Sequence, residues 1–344
     1  MHFSMLSTSA LALMFTIPYC AASKYTYWVH DSCYGKPGFD MDKTVAESMT
    51  MAKRAADRLG SSTDTDFANV FKKIFSIDKN DQAEFNSPIF DNLKTTAYKS
   101  VKDIMNSIGT EWSLVKGDNG RAASDVRIYC DNGKHFDRPH KKGGWVDDVN
   151  KVLSYDRCEK GQAFTSSQRL AIKPKDMQQN KRRETITICD KQFNTVTSSS
   201  LWHRLEEIPS DKDLTKSKLG IKMFNYLTSM VILHEFTHTD PYRLEDVGSL
   251  PAAYGWDNIV AKNTQDSLEN SDNHAYLGLW ALLADRKPGK EPHGGHTLAR
   301  PWLDATRGYG LEAANDATSG LIYAYQDISD RVPSAKRKAR EFSG

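Results

Sequence analysis

The chain has 344 residues, enough for one large domain or two ordinary ones around a sizeable core. Its 46 Lys and Arg stand against 44 Asp and Glu, and the net charge of +2 gives no hint of a nucleic-acid partner. Beyond the first residues, no stretch is long and apolar enough to read as a membrane span.

Residues 1–22 read as a secretory signal peptide. They hold an apolar run from Ala10 to Ile17, then small residues at Cys20-Ala21-Ala22-Ser23, with cleavage expected near Ala22. The product is expected to be secreted and extracellular. Loss of Cys20 leaves Cys33, Cys130, Cys158 and Cys189, an even number in an oxidising compartment. Two disulfides follow, with three connectivities open. A cysteine zinc site is the weaker reading, because no two of these cysteines form a C-x-x-C pair.

Three helices are expected next. Asp42 to Leu59 is amphipathic and stops at Gly60, Asp64 to Phe75 has an acidic start, and Phe90 to Ile108 carries a periodic apolar set. Asp125–Cys130 and Glu184–Cys189 alternate like strands and both end at a cysteine, which predicts neighbours in one small sheet. Residues 131–183 read as a long polar loop with a third strand at Ala163–Leu170. His135, His140 and Lys181-Arg182-Arg183 fall in that loop and read as solvated surface groups. The tail from 287 to 344, with His293, His296 and the basic run Lys336–Arg340, reads as a partly flexible extension.

The chemistry concentrates at His234-Glu235-Phe236-Thr237-His238. Histidines four apart on a helix lie on one face, so both imidazoles can reach one ion, and Glu235 is placed to take a proton from a metal-bound water. The apolar run Leu219–Leu233 predicts a long buried helix leading into the motif. A third ligand must come from Asp240, Asp246, Asp257, Glu269, Asp272 or His274. The residues after His238 lack the Gly and His that a metzincin needs, while Glu269 would suit a thermolysin-like arrangement.

Glu245-Asp246, then Ala253-Tyr254-Gly255-Trp256, then Asn270-Ser271-Asp272-Asn273-His274-Ala275-Tyr276 make a more definite pattern. Together with the histidine motif, over roughly 219–283, they resemble the aspzincins. These are fungal secreted metallopeptidases that include deuterolysin and the peptidyl-Lys metalloendopeptidases. The resemblance implies that His234, His238 and Asp246 hold one Zn2+ and that Glu235 is the general base. It further implies that Tyr254 donates to the tetrahedral oxyanion and that Asp272 braces the site from behind the ligands. Asp240 and Asp272 are the candidates to orient the ligand histidines. This sequence places Tyr254 eight residues after Asp246 where the family has three, and lacks the family's Gly-Thr, so Asp272 stays open as the alternative third ligand.

The implied protein is α+β, a mainly helical zincin-like metallopeptidase domain over 23–286 with a small antiparallel or mixed sheet. Its expected function is that of a monomeric secreted zinc endopeptidase acting on a protein or peptide, with neither nucleic acid nor membrane as partner. The alternative is a non-catalytic zinc-binding protein on the same fold, a scavenger or host-binding protein, to which a general base at Glu235 would be of no use.

Overall fold

The computed structural model describes residues 23–61, 64–76, 88–90, 95–159, 161–169, 183–194, 202–208, 221–248 and 251–284. The signal-peptide region, Lys181-Arg182 and the tail with His293 and His296 lie outside them. The elements that build the site are β1 (Tyr25–Val29), α1 (Met41–Gly60), α2 (Thr65–Ile74), α3 (Ala97–Thr110), β2 (Trp112–Leu114), β3 (Val126–Tyr129), β4 (Ala163–Ser166), β5 (Glu184–Ile188), α4 (Thr228–Thr237) and α5 (Ser271–Ala284).

The architecture is α+β, and its sheet is larger than the sequence suggests. Five strands run in the order β2-β1-β3-β5-β4. β1 is parallel to β2 and β3, β3 is parallel to β5, and β4 closes one edge antiparallel to β5. A second, four-stranded antiparallel sheet is made from Arg138–Pro139, Trp145–Asp147, Val152–Ser154 and Gln168–Arg169. The expected strand at 163–170 is therefore two strands in two sheets. Tyr25–Val29, whose aromatic residues give no clean alternation, is a strand paired on both sides.

Alternation sorts the sheet residues by face. Tyr27, Val29, Val126, Ile128, Ile186 and Ile188 join the main apolar core. The intervening Arg127, Tyr129, Thr185 and Thr187 point the other way and are also buried, so both faces are covered. His135 belongs to that second face. Its ring stacks on Tyr129 at 4.0 Å, and its Nδ1 bonds Asp131 at 2.9 Å. It is an interior histidine, not the surface group expected, because the preceding turn folds it under the sheet. Arg183 is likewise buried.

α1 and α2 begin where the sequence places them. Asp40 accepts from Lys43 N at 3.1 Å and Asp64 from Phe67 N at 3.0 Å, each capping a helix start. α3 starts later than predicted, because Pro88–Phe90 and Thr95–Thr96 pair as short strands. α1 packs against α3, α4 and α5. Two glycines permit the closest approaches. A Cβ on Gly109 would sit 2.6 Å from the Lys53 backbone, and one on Gly278 would sit 2.5 Å from Leu233 Cδ2.

The disulfides are Cys33–Cys130 and Cys158–Cys189. The first joins the segment after β1 to the end of β3. The second joins the loop before β4 to the end of β5, the two strands nearest the site.

Candidate metal centre

α4 carries the histidine motif, and it is shorter than its apolar sequence predicts. Leu227 is extended (φ −62°, ψ 117°) and the helix begins at Thr228, behind a 3-10 turn at Ile221–Phe224. Buried Gln192 fixes this start, donating to Tyr226 O at 2.7 Å and to Thr228 Oγ1 at 2.8 Å. The helix then uses each face differently. Phe236 packs edge-on against Tyr27 and Trp112 of the sheet. His234 and His238 look instead into a cleft of about 1090 Å³. Glu235, one residue round the helix, turns towards β4.

Two neighbours fix the imidazoles. His234 Nδ1 lies 3.2 Å from Asp272 Oδ1. His238 Nδ1 donates to Leu244 O at 2.7 Å, with Ser271 Oγ also near at 3.1 Å. The chain reverses through left-handed Arg243 (φ 51°) to aim that carbonyl. With Nδ1 of each ring used as a donor, both Nε2 atoms present lone pairs. They are 3.1 Å apart. Asp246 Oδ1 stands 3.2 Å from the first and 3.6 Å from the second, and it makes no directed hydrogen bond.

Three acceptors so close repel one another unless a cation or a proton lies among them. A tetrahedral Zn2+ with bonds of about 2.0–2.1 Å separates its ligands by about 3.3 Å, which these spacings match. Two imidazoles and a carboxylate are also the donor set that zinc takes in sites with one position open. The cluster of His234, His238 and Asp246 could hold a metal ion.

Compared with known proteins, the chain matches no family model, no curated protein and no solved structure.

Of the other carboxylates considered from sequence, Asp272 lies behind His234, where it also accepts from Gly255 N at 2.7 Å. Glu269 turns away to Gln265. Asp240 pairs with Arg243, so it orients neither histidine, and a backbone carbonyl takes the place expected for it at His238. His274 is fully buried against Phe75, with Nδ1 on Asn270 O at 3.2 Å. Burial pushes its pKa down to about 4, so it stays neutral in the core.

The eight-residue step from Asp246 to Tyr254 closes on itself. Tyr254 donates to Asp246 Oδ2 at 2.6 Å, so its hydroxyl holds the distal oxygen of the carboxylate that faces the histidines. Fully buried Asn270 ties both feet of this loop. Its Oδ1 accepts from Val247 N at 2.9 Å and its Nδ2 donates to Ala253 O at 3.1 Å. Lys262 Nζ bridges the loop from outside, bonding Val247 O and Ala252 O. The Asn270-Ser271-Asp272 run thus serves the site three times, through the loop clamp, His238 and His234. Asn270→Ala would strand the part-buried Val247 N–H, at about 1 kcal/mol, and the buried Ala253 C=O, at about 1–3 kcal/mol. Urea unfolding is expected to show a loss of about 2–4 kcal/mol, with weaker metal binding in a parallel titration.

Electrostatics follow from this crowding. Burial disfavours a charged His234, but the facing carboxylates of Asp246 and Asp272 outweigh it and hold the pKa well above the usual value. Asp246 is also opposed by burial, yet the two histidines beside it hold it far below the ordinary carboxylate range. Burial raises Glu235, with the charges of His234 and His238 opposing. Tyr254 is raised by burial and by Asp246, which keeps its phenol protonated.

Thr165 is the site residue that sequence reasoning missed. Its Oγ1 lies 2.7 Å from Glu235 Oε2 and 3.0 Å from Glu235 O. No local motif marks it, since 70 residues separate the pair.

Proposed function

We propose that the chain is a secreted zinc-dependent endopeptidase with a zincin-like fold, related to the aspzincins. The observation that carries this reading is one cleft holding three things together. They are the His234–His238–Asp246 acceptors, the Glu235 carboxylate, and the edge strand β4 through Ala163, Phe164 and Thr165.

Each part has a role in peptide hydrolysis. β4 ends the sheet and is paired on one side only among the described residues. An extended peptide laid along it would add a strand, with its backbone held by hydrogen bonds and a scissile carbonyl brought over the cluster. Zinc, when bound, supplies a water of lowered pKa and polarises that carbonyl. Glu235 takes up the proton and returns it to the leaving amine, a role suited to a carboxylate whose pKa burial has raised. Tyr254, protonated at all working pH values, donates its one O–H to Asp246 and keeps that carboxylate aligned. To meet negative charge developing in the cleft it would have to exchange that bond for one to the substrate. Asp272 and Leu244 O keep each histidine in the tautomer that leaves Nε2 open.

One further feature supports the exported setting: both cysteine pairs are at disulfide distance, compatible with an oxidising compartment. No helix among the described residues is long and apolar enough to cross a membrane.

Metal analysis and casein cleavage on the secreted protein test the proposal. About one zinc per chain is expected, as one three-ligand site implies, with casein cleavage that a chelator abolishes and zinc restores. Zinc without cleavage would favour the scavenger reading. Absence of bound zinc would sink the site.

A further inference from the structure

We propose that Thr165 is a positioning residue for Glu235, an inference that rests on the endopeptidase reading. Both atoms facing its Oγ1, the Glu235 carboxylate at 2.7 Å and the Glu235 carbonyl at 3.0 Å, accept hydrogen bonds. The threonine hydroxyl must therefore be the donor, and the carboxylate is the nearer and stronger acceptor. Thr165 faces this way because of its register. It pairs with Ile186, whose side chain is in the core beneath the helices, so alternation points Thr165 at α4 and Phe164 away towards Phe136.

The consequence is directional. A glutamate on a helix surface has three rotatable bonds, and burial alone does not choose which oxygen meets the substrate. With Oε2 held by Thr165, Oε1 is the oxygen left to take a proton. The strand that holds the base is also the terminal strand of the sheet, in the same cleft. Strand pairing by a peptide and orientation of the base are thus achieved on one element.

A bland role must be separated from this one, because the bond to Glu235 O could simply fasten β4 to α4. The backbone carbonyl survives any substitution of the Glu235 side chain, and that gives the test. Zinc-loaded wild type, T165S, T165V, T165A, E235A and T165V/E235A are compared by two readouts. One is kcat and KM on a fluorogenic peptide. The other is calorimetric binding of acetohydroxamic acid, a zinc chelator that passes its O–H proton to an adjacent carboxylate.

Thr165→Val and Thr165→Ala are expected to lower kcat and weaken acetohydroxamate about tenfold, the size of one hydrogen bond to a charged acceptor. KM and zinc affinity should stay within about twofold, and Thr165→Ser should restore wild-type values. In the E235A background, Thr165→Val should change acetohydroxamate binding no further. An equal weakening in both backgrounds, or none in either, overturns the proposal. Should wild type bind zinc and acetohydroxamate but cleave nothing, the endopeptidase reading fails, and the coupling between residues 165 and 235 is still decided by the binding arm.

Discussion

Glu235→Gln is expected to bind zinc as tightly as wild type and to cleave peptides about 10²–10⁴-fold more slowly. The side chain is not among the three acceptors that converge, so its loss leaves the ligand set whole. The amide fills the same volume and can still meet Thr165 through its oxygen. What disappears is the ability to take a proton and return it. The comparison to make is metal content beside kcat for the two proteins. Equal zinc with equal cleavage would remove Glu235 from the mechanism, and loss of zinc would mean that it is a ligand after all.

The second large effect separates the two aspartates. Asp246→Asn should cost about two to three orders of magnitude in zinc affinity, since a four-ligand site worth about 10–16 kcal/mol gives roughly 2.5–4 kcal/mol per ligand. Asp272→Asn acts from behind the ligands, through His234 and through Gly255 N, and should cost about 10–100-fold. Competition with a metal-sensitive dye reads both directly. A greater loss at Asp272 would reverse the assignment of ligand and support. The same titration carries a pH signature. In the metal-free chain His234 is held protonated well above its usual pKa by Asp246 and Asp272. Zinc must displace that proton, so affinity should rise with pH and fall in acid, with proton release visible in buffers of different ionisation enthalpy.

How much of this was legible beforehand depended on distance along the chain. The placement of His234 and His238 on one helical face is local and followed from a four-residue spacing. The strand pair ending at Cys130 and Cys189 was also legible, because alternation over five residues survives in a parallel sheet buried on both faces. Tyr25–Val29 was not, since its aromatic run does not alternate polar with apolar when both sides are covered. The start of α4 was misread because Met223 and Leu227 continue the apolar spacing, while the break at Leu227 is set by Gln192, a residue far back in the chain. Thr165 was invisible for a similar reason: its partner is brought to it by sheet register, which no short window of sequence contains.

The clamp at Asn270 has a consequence for how such sites can change. Because one amide grips both feet of the Asp246–Tyr254 segment, the angle between carboxylate and phenol is set at its base, not by the count of residues between them. Carboxylate and phenol are thereby coupled through a residue that bonds their chain neighbours, and a change at Asn270 disturbs both together.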